Sequence, residues 1–386
     1  MSRFALTALL VVGTACGRDD QGAAVDVQTW SVAPQPDVII GQEGREGHEL
    51  FRVLEATRLN DGRIAVVNAG TSEIRFFSPV GEYLGFAGGE GRGPAEFPRI
   101  SSAARVAGDS ILVQTWDPAI AVVSPAMEVV RKTPMDVSPL RIPCRIAESG
   151  VGLTRSGIFV IQAEDNLGNP GCPPNPGGVR QNTDLLATYD PVAERFDTLG
   201  IFPSTDRDGP RYGAFGRMLA VAASAGRVFA GETGGDTISV YSTSGEHLAT
   251  WRHPLPAIPL TDAARSFAPE PRRFEDGRVE TPEPYTMPAT YPRFGRLVAD
   301  LAGNLWIMAY PALDEPISSW RLKMASYHVV EDGGARWTVL DSTGVPVAEV
   351  RTPPSLYPLE IGDDYVLGLA LDELDVETVR LHRLSK

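Results

Sequence analysis

An all-β fold, a six-bladed propeller with four-stranded blades, is what this sequence of 386 residues predicts, and three observations predict it. Short apolar strands between tight turns recur along the chain. The two best copies of the unit keep their spacing, with 19 positions from Gly62 to Gly81 (81 − 62) and 19 from Gly226 to Gly245 (245 − 226). The last unit ends one strand short, while an orphan strand-like stretch, 27–40, stands at the start. A small antiparallel sheet cannot bury both of its faces alone, so such units need neighbours stacked against them. The orphan can complete the last blade and close the ring, which removes an exposed edge.

The first unit has its turn at Asp61-Gly62, strands at 64–67, 74–77 and 83–87, and a glycine-rich loop leading to Phe97. The second has a turn at Ala107-Gly108-Asp109 and strands at 111–115 and 120–123. The third has strands at 157–161, 185–189 and 196–202, with a Gly-, Pro- and Asn-rich insertion at 162–184. The fourth repeats the first: Ala225-Gly226-Arg227-Val228 mirrors Asp61-Gly62-Arg63-Ile64, and Ile238-Ser239-Val240-Tyr241 mirrors Ile74-Arg75-Phe76-Phe77. Residues 254–293 form a proline-rich connection that cannot be sheet interior, because proline lacks a ladder donor. Thr261 is placed there to cap a short helix. The fifth unit has strands at 297–300, 305–309, 337–340 and 346–351, interrupted by an insertion at 310–334. The sixth has strands at 357–361, 365–371 and 376–384.

Residues 1–15 read as a targeting segment, 16–26 as a tether and 27–386 as the propeller. Arg3 precedes an apolar run of nine residues, 4–12, too short to span a bilayer. Gly13-Thr14-Ala15-Cys16 resembles the bacterial lipoprotein signal, in which the cysteine is lipidated and becomes the mature N-terminus. It departs from that signal in having Gly13 where leucine is usual, and an ordinary secretory signal cleaved near Ala15 is the other reading. By that resemblance the chain is exported and lipid-anchored on Cys16 in the bacterial envelope. Gly17 after the cysteine points to the outer membrane. The anchor is then its only membrane contact. In an oxidising compartment the two remaining cysteines, Cys144 and Cys172, allow one disulfide, with two unpaired thiols as the alternative.

Lys plus Arg number 35 and Asp plus Glu 49, a net charge of −14, which argues against a nucleic-acid partner. The histidines His48, His247, His253, His328 and His382 show no metal-ligand spacing. The run Gly88-Gly89-Glu90-Gly91-Arg92-Gly93-Pro94 is not a dinucleotide loop, since Pro94 stands at a required glycine and no helix follows. Asp206-Arg207-Asp208-Gly209 reads as a turn rather than a calcium loop. No nucleophile elbow is present. Catalytic, cofactor and metal residues are therefore not assigned.

Asp61-Gly62-Arg63-Ile64, Ile74-Arg75-Phe76-Phe77 and Gly91-Arg92-Gly93-Pro94-Ala95-Glu96-Phe97 resemble the NHL-type six-bladed propeller repeat. Gly362-Asp363-Asp364-Tyr365-Val366-Leu367-Gly368 resembles the last blade of exported bacterial propeller lipoproteins. These motifs are structural and imply fold, not activity. Propellers host enzymes and passive scaffolds alike. The leading expectation is a monomeric, lipid-anchored binding or scaffold module for a protein, peptide or glycan, without a cofactor. The alternative is a metal-dependent hydrolase or lyase with its site at the mouth of the central channel, and a structural calcium ion fits either. Turns of a four-stranded meander alternate between two faces, which places the insertions 162–184, 254–293 and 310–334 on one face. Asp165, Arg272, Arg273, Tyr285, Tyr291 and Trp320 are the contacts expected there.

Overall fold

A computed structural model describes residues 27–136, 144–165, 172, 178–208, 211–224, 226–268, 271–273, 276–281, 283–313, 334–372 and 374–386. Cys16 and Trp320 lie outside them. Two strands, β1 (Gln28–Val32) and β2 (Val38–Ile40), precede the first meander, formed by β3 (Val53–Arg58), β4 (Ile64–Asn68), β5 (Glu73–Phe77) and β6 (Tyr83–Gly88). The second is β7 (Ile100–Arg105), β8 (Ile111–Thr115), β9 (Ala119–Val123) and β10 (Val129–Pro134). The third is β11 (Arg145–Leu153), β12 (Phe159–Asp165), β13 (Val179–Asp190) and β14 (Arg195–Asp208), with the two-residue β15 (Arg211–Tyr212) at its edge. The fourth is β16 (Leu219–Ala223), β17 (Arg227–Glu232), β18 (Thr237–Ser242) and β19 (His247–Arg252).

The proline-rich connection follows. It holds α1 (Asp262–Arg265) and a small hairpin of β20 (Arg272–Arg273) and β21 (Val279–Glu280). The Thr261 hydroxyl accepts from the Ala264 N–H at 3.0 Å and caps α1. The fifth meander is β22 (Phe294–Ala299), β23 (Leu305–Ala309), β24 (Arg336–Leu340) and β25 (Pro346–Arg351). The last is β26 (Leu356–Ile361), β27 (Tyr365–Leu371) and β28 (Glu377–Ser385). Within each meander neighbours pair antiparallel in chain order, as in a β-propeller. Turn glycines recur in one conformation: Gly62, Gly81, Gly245, Gly303 and Gly344 all have φ of +87° to +91°, which a side chain would resist.

Apolar cores lie between successive meanders. Phe76 and Phe97 meet Ile111 and Val113; Leu112 meets Phe159 and Tyr189; Val160 and Leu186 meet Val228. Phe229 and Trp251 meet Phe294 and Ile307, and Trp306 and Trp337 meet Ile361 and Val366. The last meander packs on the first, through Leu367 and Leu369 against Val53, Ala56 and Ile64. The first strand of each meander faces inward: β3 packs beside β7 and β26, β11 beside β7 and β16, and β16 beside β22.

Three features differ from the sequence reading. The 27–40 stretch forms two strands that both pair antiparallel with β28 (Val38 opposite Leu381, Val32 opposite Leu384), and β1 also runs parallel to β25 of the fifth meander (Gln28 opposite Ala348), a pairing the sequence reading did not include. Pro34 and Pro36, which cannot donate to a ladder, separate the two. Second, β3 was not read as a strand, because Glu55, Thr57 and Arg58 break the apolar alternation. Third, much of 162–184 is sheet rather than loop. β12 and β13 pair from Phe159 opposite Tyr189 to Glu164 opposite Asp184, and Asp206 and Asp208 lie on β14 rather than in a turn.

Candidate functional site

In an antiparallel meander the connections β12–β13, β23–β24 and the link from β19 to β22 leave from the same side of their sheets. The described parts of the link from β19 to β22 meet the start of the β23–β24 connection and the segment after β14. Tyr291 is 1 % exposed, edge-on to Phe215 and stacked on Tyr310, and its hydroxyl donates to the Leu313 carbonyl at 2.9 Å. The Thr286 N–H donates to Asp208 Oδ2 at 2.9 Å, tying the link to the end of β14. Cys144 and Cys172 form a disulfide, Cα to Cα 5.2 Å, which joins the start of β11 to the β12–β13 connection.

The expected contact residues separate here. Tyr291 is a core ring, so its expected role as a ligand contact is corrected: the hydroxyl is spent on Leu313 and the ring on Phe215. Asp165 accepts from both the N–H and the hydroxyl of Thr183, each at 2.9 Å, and pins the hairpin. Tyr285 is half-buried and stacks on Phe267. Arg273 is exposed on the small hairpin, and Arg272 pairs there with Glu280.

A second set of polar groups lines the inward-facing strands. Glu360, at the end of β26, is 8 % exposed. Its carboxylate accepts from the Thr57 hydroxyl at 2.5 Å, the Arg58 N–H at 2.9 Å, the Tyr365 hydroxyl at 2.5 Å and Arg155 Nη2 at 3.1 Å. Arg105 Nη2 lies 3.7 Å away and also pairs with Asp109 at 3.1 Å. Burial and the Glu360 carboxylate push the Tyr365 phenol up, so it stays a donor. These groups tie together the ends of β3, β7 and β26 that carry the tight turns.

Further along the same strands stand Glu55 on β3, Arg296 on β22 and Tyr357 on β26. Register irregularities fall between Val53 and Glu55 and between Phe294 and Arg296, at the same place in the two strands. Such bulges re-aim the side chain that follows. Glu55 is enclosed by protein while still touching space that water can reach. Burial, then the Glu360 charge, pushes its carboxyl up to about 8. Arg296 lies flat on Tyr357, its guanidinium carbon 3.4 Å from the ring centre. The sequence reading missed all of these residues except as strand members. The legible signal was a single charge inside an apolar strand, as at Glu360.

Among the described residues no three His, Cys, Asp or Glu side chains gather as a metal-ligand set. No helix among them is long and apolar enough to cross a membrane. No protein-family model matches the chain, and no curated protein matches it. A solved structure of a DUF4221 family member from Bacteroides vulgatus is similar, at 10% identity and a TM-score of 0.51, over 93% of this chain and 99% of that one. Regucalcin from Agrobacterium tumefaciens, titled a calcium-binding protein, gives a TM-score of 0.43 at 10% identity, over 92% and 96% of the two chains. A gluconolactonase from Xanthomonas campestris gives 0.39 at 12%, over 92% and 97%. At such identities the likeness concerns the fold alone.

Proposed function

We propose that this chain is an exported, lipid-anchored six-bladed propeller that binds a protein, peptide or glycan through the face where its long connections gather. The six-blade count and ring closure are supported by the unbroken sequence of inter-meander cores, returning from last to first, and by β2 on the outer edge of β28. The anchor is supported by the Ala15-Cys16 junction after a short apolar run.

The observation that carries the binding reading is the aromatic platform under the connections. Tyr291, Phe215 and Tyr310 pack as core, and Thr261, Leu313 and Asp208 fasten the segments above them. A connection held this way presents a preorganised surface, which lowers the ordering cost of binding. The other face carries short turns. Replacing 268–284 by a Gly-Ser linker leaves the platform intact. Crosslinking in detergent-solubilised envelope should capture a partner with the native protein and lose it with this replacement. A partner captured equally by both refutes the assigned face. Fatty-acid labelling should mark the native chain and not Cys16→Ser, and equal labelling refutes the anchor.

A further inference from the structure

The middle of the channel holds polar capacity that the protein itself leaves unused. Arg296 Nη1 is buried and has no hydrogen-bond partner. A buried donor left unmade is costly, and most folded proteins avoid it. Tyr357 covers the guanidinium by its face, which leaves the in-plane N–H directions unoccupied. The carboxyl of Glu55 has a single hydrogen bond, 3.2 Å from the neighbouring Ala56 N–H. Because burial holds it protonated at neutral pH, it is a donor as well as an acceptor. Arg296 keeps its charge despite burial. On the inward strands β7 and β16, Ser101, Ser102 and Ala220 are small and half-buried, as is Gly295 beside Arg296 on β22. Toward the tight-turn end, Arg105 and Arg155 are matched by Glu360 and Asp109, so of the three guanidinium groups Arg296 is the one left without a carboxylate hydrogen bond among the described residues.

A fixed cation with its N–H groups open, beside a neutral acid that can donate, matches one ligand chemistry. We propose that the channel binds a small oxyanion, a carboxylate or a phosphate, on the Arg296 guanidinium, with the Glu55 carboxyl as second donor and Tyr357 holding the guanidinium in place. A planar carboxylate suits the guanidinium fork best. The chain as a whole carries −14, so loose anion uptake is disfavoured and a saturable effect reports a built site.

The test is thermal unfolding of the full-length protein titrated with acetate or inorganic phosphate, at constant ionic strength against chloride. A ligand bound only by the folded state raises Tm in a saturable way. The expected result is a saturable rise with at least one of the two anions, and which one it is names the class. Arg296→Met should weaken the apparent affinity by about tenfold or more. Glu55→Gln keeps a donor and should stay within about threefold of the native protein, whereas Glu55→Leu should not. If Arg296→Met does not fold, the pH profile decides: acetate binding to the native protein should fade as pH rises through about 8, and binding to Glu55→Gln should not. No saturable shift with either anion overturns the proposal. So does equal affinity in a folded Arg296→Met, or identical pH profiles in the native and Glu55→Gln proteins.

Discussion

Glu360 and Glu55 stand on adjacent inward strands, β26 and β3, and their surroundings are opposite. Glu360 is met by two hydroxyls, a backbone N–H and two guanidinium groups. Glu55 is met by one backbone N–H. Both are carboxyls inside a propeller whose walls are mostly apolar. The difference lies in where the strands end. Glu360 sits at the tight-turn end, where Arg58, Arg105 and Arg155 converge from the ends of their strands and turns. Glu55 sits near the start of β3, and although both residues follow a register irregularity, no side chain donates to it. A buried carboxylate is tolerable only with full partnership; without it the proton stays on. The pair therefore separates a joint that holds the inner strands together from a site with unspent donors.

The largest expected break comes from Glu360→Ala. It takes the carboxylate from Arg155 and two buried hydroxyls and leaves Arg105 with Asp109 and Asn60, and should lower stability by about 3–5 kcal/mol in urea unfolding. The matching Glu55→Ala change should cost far less, and equal costs would erase the contrast.

The pH dependence of Glu55 comes next. Its folded pKa is raised above the unfolded value, so the folded state holds the extra proton. Its contribution is complete below the unfolded pKa near 4.5 and is lost as pH rises through about 8. The loss should be on the order of 3 kcal/mol, after discounting for water in the channel. Glu55→Gln should flatten this slope in unfolding curves measured from pH 6 to 9. A native protein with no downward slope would contradict the burial argument.

Tyr365→Phe should cost about 1–2 kcal/mol, since Glu360 loses a charge-assisted donor. Tyr357→Phe keeps the ring under Arg296 and should be near neutral. The smallest effect bounds the window from the acid side. Burial lowers His48, His253 and His382, and His48 Nδ1 accepts from the Gly41 N–H at 3.1 Å. Their stabilisation is present above the ordinary histidine pKa and is lost as pH falls through the lowered values. The hydrogen-exchange protection of 38–50, relative to the intrinsic rate at each pH, should fall by about tenfold between pH 7 and 5, equivalent to roughly 1.4 kcal/mol. Unchanged protection would leave Glu55 as the dominant titrating group.

The recurring unit was legible from the sequence because its causes are local. The Asp61-Gly62 and Ser244-Gly245 turns need a left-handed glycine, strands 64–68 and 237–242 are apolar enough to be buried, and Thr261 caps the short helix α1 through its own hydroxyl. The pairing of Cys144 with Cys172 was legible by elimination. The candidate site was not. Arg296 and Glu55 are 241 positions apart (296 − 55) and meet only because β22 and β3 both flank the last meander. Which charge is satisfied and which is not depends on which distant partners reach it, and that has no local signal. The pairing of 27–40, where β1 bridges β25 and β28, shows the same limit. The prolines announce a break, but only packing against β25 and β28 decides where each half goes. Strands and turns follow from short-range sterics and hydrophobic pattern; the electrostatics around Glu55 and Glu360 follow from which distant strands the tertiary fold packs side by side.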